Sequence, residues 1–210
     1  MHYSDDLLKQ VQKPARYTGG EWNAITKNWD ETRVRVALSY PDVYEVGMSN
    51  ITIPILYQAI NELTFALAER VFAPWPDMEK CLRESKSYLL SLETGHALKE
   101  FDLVGFSLGY ELTFTNILSI LNLGGIPVRQ EDRGEACPLV MAGGIGVFNP
   151  EPLADFIDFF VIGDGEDVIA LIAQTVKNCK TAKLSRTDTL KKLAKLEGVY
   201  VPSFYKFEYY

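Results

Sequence analysis

Asp42, Tyr44 and Gly47 stand at a D-x-Y-x-x-G spacing, directly after an alternating apolar run at 33–39. A carboxylate, a phenol and a glycine in one short loop can hold a ligand by charge, by hydrogen bond and by close backbone approach. The same residues, with Pro41, also suit a plain turn. Ser107 offers a hydroxyl at the end of a second apolar run, inside Gly105-Phe106-Ser107-Leu108-Gly109. Those letters spell the G-x-S-x-G of a hydrolase elbow, in which the serine precedes first its acid and then its histidine. Here His96 comes before Ser107, so the order is wrong and hydrolysis is not expected. Asp164 and Glu166 flank Gly165. Such a pair can move protons, but the positive end of a helix also draws acidic side chains, and capping is the expected role. His2 and His96 are the histidines, and Cys81, Cys137 and Cys179 lie far apart, so no metal site and no catalytic constellation is expected.

These residues fall in loops of one kind. The segments 42–47, 107–109, 143–146 and 163–165 each carry glycine and each follow an expected strand. In a parallel sheet all such loops share the carboxyl edge, where ligands bind. Asp42, Tyr44, Gly47, Ser107, Gly109, Gly143, Gly144, Gly163 and Gly165 are therefore the candidate binding residues. Neither G-x-G-x-x-G nor a P-loop motif is present, which argues against dinucleotides and nucleoside triphosphates.

The elements that must position the loops can be read from periodicity. Strands are expected at 33–39, 68–73, 88–92, 102–107, 138–142 and 159–162, with a short one at 126–128. Helices are expected near 5–11, 52–63, 77–85, 110–123, 152–156, 166–176 and 190–196, with 177–188 as a surface loop. This alternation specifies an α/β fold: a doubly wound, mostly parallel sheet, flavodoxin-like or Rossmann-like. Residues 1–32 form an arm whose aromatics Tyr17, Trp22 and Trp29 are expected to pack on the domain. The domain itself is expected at 33–180, with a C-terminal extension at 181–210 that ends in an extended segment, 198–205. His96, beside Gly95 in a polar loop, is expected to face solvent.

Composition narrows the partners. The 210 residues are 47% hydrophobic, enough for a sizeable core, and carry a net charge of −7. An acidic chain without a basic block is a poor nucleic-acid binder. No apolar run reaches the roughly 18 residues of a membrane span, and the N-terminus lacks a signal sequence. Few, odd-numbered and distant cysteines suit unpaired thiols in a cytoplasmic protein.

Several stretches together carry a family resemblance. ARYTGGEWN at 15–23, YPDVYEVGMS at 40–49, ERVFAPWPDME at 69–79, FDLVGFSLGYEL at 101–112, AGGIGVFNPEPLADF at 142–156 and FVIGDGE at 160–166 are its motifs. On these the chain resembles the N-terminal vitamin-B12-binding-like domain of a family of radical S-adenosylmethionine proteins, largely of unassigned reaction. GVYVPSFY at 198–205 resembles the segment leading towards the radical domain. The resemblance implies a cobalamin-binding-type fold with cobalamin as the candidate cofactor. Asp42 and Gly47 fit the family's D-x-H-x-x-G, but Tyr44 stands where a histidine would ligate cobalt. A phenol is a poor substitute for imidazole there, so the resemblance implies a degenerate site. Ser107 fits the Ser-x-Leu or Ser-x-Thr step and Gly109 departs from it, while Gly143-Gly144 fit the step against which the nucleotide tail lies.

The cysteines cannot form the Cys-x-x-x-Cys-x-x-Cys that holds an iron–sulfur cluster. The cluster and S-adenosylmethionine are thus implied only for an absent radical SAM domain of the same parent chain, which would be this domain's partner. The chain is expected to be a binding module, catalytically inert as a fragment of a radical SAM enzyme. The alternative is a structural or interaction scaffold that binds no cofactor.

Overall fold

Val34, Val36 and Leu38 alternate along the first strand and are fully or almost fully buried, as a period-2 run on a covered sheet requires. In this computed structural model, which describes residues 2–206, the elements begin with α1 (Asp5–Leu8), β1 (Val34–Tyr40), α2 (Tyr44–Ser49), α3 (Thr52–Asn61), β2 (Ala66–Phe72) and α4 (Pro76–Ser85). They continue with β3 (Leu103–Ser107), α5 (Phe114–Leu123), β4 (Leu139–Gly143), β5 (Phe159–Val161), α6 (Gly165–Thr181), α7 (Arg186–Leu193) and β6 (Val199–Tyr200). The sheet order is β2-β1-β3-β4-β5-β6. The first five strands are parallel, and β6 adds an antiparallel edge through Phe160–Tyr200 and Val161–Val199. This is a doubly wound α/β fold with the flavodoxin-like strand order, whose switch point lies between β1 and β3.

Each face of the sheet carries its own core. One gathers Ala37, Val104, Phe106, Val140 and Phe160 under α4 and α5. The other gathers Leu38, Leu103, Met141, Phe159 and Val161 under α3, α6 and α7. The arm covers part of the first: Leu7 and Val11 are buried in it. Trp29 stacks on His96 with ring centroids 3.5 Å apart. His96 is therefore half-buried rather than solvent-facing, and burial lowers its pKa. The arm packs on the domain as expected, except that Trp22 is fully exposed.

An edge strand offers unpaired backbone groups to any passing chain. The outer edge of β2 is closed by side chains. Asn61 mimics a strand residue, accepting from Ala68 N at 3.0 Å and donating to Ala68 O at 3.1 Å. Glu93 accepts from Arg70 N at 2.7 Å, and Leu92 N donates to Arg70 O at 2.8 Å. Lys27 Nζ donates to Ala66 O at 2.6 Å and to two carbonyls at the end of α3.

That edge explains why 88–92 is not a strand. Its amides go to scattered acceptors, Leu123 O, the Tyr3 hydroxyl, His96 O and Arg70 O, leaving one bridge between Leu90 and Ala97. The 126–128 segment also forms no strand. Pro127 cannot donate, and the carbonyls of Pro127 and Val128 accept instead from Arg133. Around 152–156 there is only a 3-10 turn, Glu151–Leu153.

The expected surface loop at 177–188 is mostly helix. The apolar stripe Ile169, Ile172, Val176 and Cys179 carries α6 on to Thr181, and the Ser185 hydroxyl caps α7 by accepting from Asp188 N at 3.1 Å. The terminal segment supplies β6 and a 3-10 turn at Pro202–Phe204, while residues 207–210 of the expected extension lie outside the described residues. Cys81, Cys137 and Cys179 are free thiols. No described helix is long and apolar enough to cross a membrane.

Candidate functional site

Parallel pairing brings the ends of β1, β3, β4 and β5 to one edge, and with them all the glycine loops. A cavity of about 300 Å³ opens there, between the sheet and the helices α3 and α6. Strand register sets its floor. Leu38, Gly105 and Met141 sit side by side in one row, and Ser107, Gly143 and Val161 in the next row towards the edge. Thr52, Ile53 and Leu56 wall it from α3, and Ile169 and Ile172 from α6.

Glycine makes the room. A Cβ at Gly105 would lie 2.6 Å from Met141 Cε, so the methionine could not lie across the strand as it does. A Cβ at Gly143 would meet only Val161, at 3.6 Å or more, and would otherwise project into the cavity. Gly144 has φ of +99° and a Cβ there would sit 2.7 Å from Leu108 O, so the loop after β4 needs glycine at that position. Leu108 N donates to Gly143 O at 2.8 Å and Gly146 N to Leu108 O at 3.0 Å, which knits the β3 and β4 loops together.

Polar groups in the cavity are few. Ser107 is 7% exposed, lines the cavity, and its hydroxyl has no hydrogen-bond partner among the described residues. That hydroxyl is not among the buried orphaned atoms, so it stays accessible from the cavity, where a ligand or water can bond it. At the mouth stand Asp164 and Glu166, both exposed. Asp164 occupies the N-cap position of α6, yet its side chain makes no capping bond, so the capping role expected for it is not met. The apolar rim includes Ile145 and Phe148, each 72% exposed, so Phe148 does not fill the crevice.

Of the candidate binding residues, Ser107, Gly143, Gly144, Gly163 and Gly165 line this cavity. The others do not. Asp42 holds its own loop: Oδ1 accepts from Val43 N at 2.7 Å and Oδ2 from the Tyr110 hydroxyl at 3.2 Å. Tyr44 opens α2 and turns towards the arm, donating to Glu21 Oε1 at 3.0 Å with its ring edge-on to Phe72. Burial and the bond to Glu21 both raise its pKa, which keeps the phenol protonated. A Cβ at Gly47 would overlap the Phe72 ring, and one at Gly109 would lie 2.7 Å from the Tyr40 hydroxyl, so both glycines serve packing.

Sequence reasoning missed the apolar floor and walls. One signal was available: Gly105 sits inside a buried strand, where glycine marks a close approach. The buried pair Arg70–Glu93 was also missed. Arg70 Nε donates to Glu93 Oε1 at 2.6 Å, with the two side chains 2% and 0% exposed. No group of three or more metal-ligating side chains occurs among the described residues.

A family model described as radical SAM proteins, N-terminal, matches residues 52–202, well over half of the chain. No curated protein and no solved structure matches the chain.

Proposed function

We propose, on the premise that this chain belongs to the family of radical SAM protein N-terminal domains, that its cavity holds the heterocyclic tail of a cobalamin-type cofactor. The carrying observation is the hydroxyl of Ser107, a residue 7% exposed, which has no partner among the described residues and reaches the surface of a largely apolar cavity of about 300 Å³. The groups present fit such a tail. Gly143 leaves a shallow floor for a flat ring beside Met141, which lies over Gly105, while Ile53, Leu56 and Ile169 give it apolar walls, and Ser107 can donate to a ring nitrogen. A drug-sized ligand pocket has about the same or a somewhat larger volume, roughly 300–1,000 Å³.

Tyr44 takes no part in this reading. It is engaged by Glu21 and Phe72, so this loop supplies no cobalt ligand and the tail alone anchors the cofactor. A bound cobalamin supplies a redox-active cobalt, and the chemistry that uses it belongs to the radical SAM domain of the parent chain, with its iron–sulfur cluster and S-adenosylmethionine. This domain binds and presents, and itself carries no catalytic group.

Titration of the full chain with hydroxocobalamin, monitored by visible absorption, tests the proposal. The expected result is a saturable change at one cofactor per chain. A folded chain that leaves the spectrum unchanged would overturn cofactor binding and leave the scaffold role.

A further inference from the structure

The walls of a cavity limit the rings it can take. Here the helix walls are stiff: Ile53 on α3 and Ile172 on α6 are β-branched and almost or fully buried. The inner floor is different. Met141 is 4% exposed and lines the cavity from β4, between Phe159 on β5 and Gly105 on β3. Phe159 is fully buried and fills its own side of the row. Gly105 has no side chain, and the Met141 thioether lies across it. A Cβ at Gly105 would stand 2.6 Å from Met141 Cε and 3.5 Å from Cγ, with Leu38 Cδ2 at 3.5 Å as the stop on the far side. A long, unbranched side chain thus ends over bare backbone at the bottom of the cavity.

We propose that Met141, lying over Gly105, is an adjustable floor that makes the cavity tolerant of cobamides, cobalamin-type cofactors that differ in the base of their nucleotide tail. The inference rests on the cavity holding such a tail, and it adds which tails are accepted. A fixed apolar wall separates ligands that differ by one methylene by about 10–200-fold. A methionine floor relaxes that limit. Its three rotatable bonds move Sδ and Cε between staggered wells without shifting the backbone, and its sulfur makes favourable contact with an aromatic ring edge whatever the ring's substituents. Gly105 supplies the free space for that movement, because any side chain there would meet the thioether. Ser107 fixes what the accepted bases share: its hydroxyl, open to the cavity, donates to a ring nitrogen. The ligand class is thus a cobamide with a nitrogen heterocycle as its base, with the size of that heterocycle only loosely set.

The test is equilibrium dialysis of the full chain against three cyano-cobamides, with 5,6-dimethylbenzimidazole (cyanocobalamin), benzimidazole or adenine as the base. All three offer Ser107 a ring nitrogen. The native chain should bind them within about tenfold of one another. Met141→Ile keeps an apolar side chain of similar bulk but is stiff at χ1, and should widen that spread by about tenfold. Gly105→Ala should drive the thioether into the cavity and weaken the dimethylbenzimidazole form, the bulkiest, by about tenfold relative to the benzimidazole form. Circular dichroism identifies the variants that fold, and the native spread needs neither of them. A native spread of more than tenfold, or the native spread retained in either folded variant, would overturn the adjustable floor and leave tail binding standing. No binding of any of the three to the folded native chain would overturn both.

Discussion

Tyr44 shows how a motif and its geometry separate. Its spacing puts it where a cobalt-ligating histidine would stand, yet α2 turns its ring onto Phe72 and its hydroxyl onto Glu21. Tyr44→His should therefore leave the visible spectrum of bound cobalamin unchanged. Tyr44→Phe should cost about 0.5–1.5 kcal/mol in urea unfolding, the usual worth of one hydrogen bond. Gly143 is the opposite case. Its side faces the cavity, and Val161 is the only neighbour a Cβ would touch. Gly143→Val should keep the fold, seen as native circular dichroism, and weaken cobalamin binding by tenfold or more. Ser107 and Gly143-Gly144 were legible because each is a local signal, a strand end next to small residues. Leu38, Gly105 and Met141 were not, because register across three strands joins them, and no stretch of sequence encodes that row.

The edge strand and the arm are where elements depend on single charges. Arg70 and Glu93 are both buried, and desolvation pushes the Glu93 carboxyl above its usual range although Arg70 pulls the other way. Glu93→Gln leaves the guanidinium without its counter-charge and should cost roughly 3–5 kcal/mol in chemical denaturation. A cost under about 1 kcal/mol would mean that the pair does not hold the edge. The arm is fastened to α2 by Glu45, which takes Arg16 at 2.9 Å and Lys13 at 3.3 Å. The hydrogen bond from Arg16 is the main reason that its carboxyl falls from the usual 4.5 to about 2. A depressed carboxylate stabilises the fold fully above its unfolded pKa. Its contribution should be lost as pH drops from 4.5 to about 2. The side chain is 45% exposed, so screening limits the effect to at most about 1 kcal/mol. Glu45→Gln should remove that part of the acid sensitivity, as should high salt. A period-2 run made β1 legible, and continuous apolar runs made β3 and β4 legible, each to within a residue or two. The helical α2 was not, because Pro41, Asp42 and Gly47 read as turn residues, and neither was the closed edge, whose partners lie up to 39 positions away.

At the scale of the molecule, the chain runs from β1 outward to β2 and then back across to β3, and the cavity opens at the carboxyl edge of the sheet, mainly over β3, β4 and β5. The loops after β1 and β3 are tied together by the Tyr110–Asp42 and Asn116–Pro41 hydrogen bonds, so the switch point itself is closed. The alternation of strands and helices made this architecture legible, since right-handed crossovers leave few other ways to wind a parallel sheet. It could not show whether the crevice stays open. That depends on side chains such as Tyr44, engaged by the arm, and Phe148, exposed at the rim. Under the proposed function the domain grips the cofactor by its tail and not by its cobalt. Comparing cobalamin with cobinamide, the same corrinoid without its nucleotide tail, measures that directly by equilibrium dialysis against the full chain. Cobalamin should be retained and cobinamide bound at least tenfold more weakly, with Gly143→Val abolishing the difference. Equal retention of the two corrinoids, or retention of neither, would contradict it.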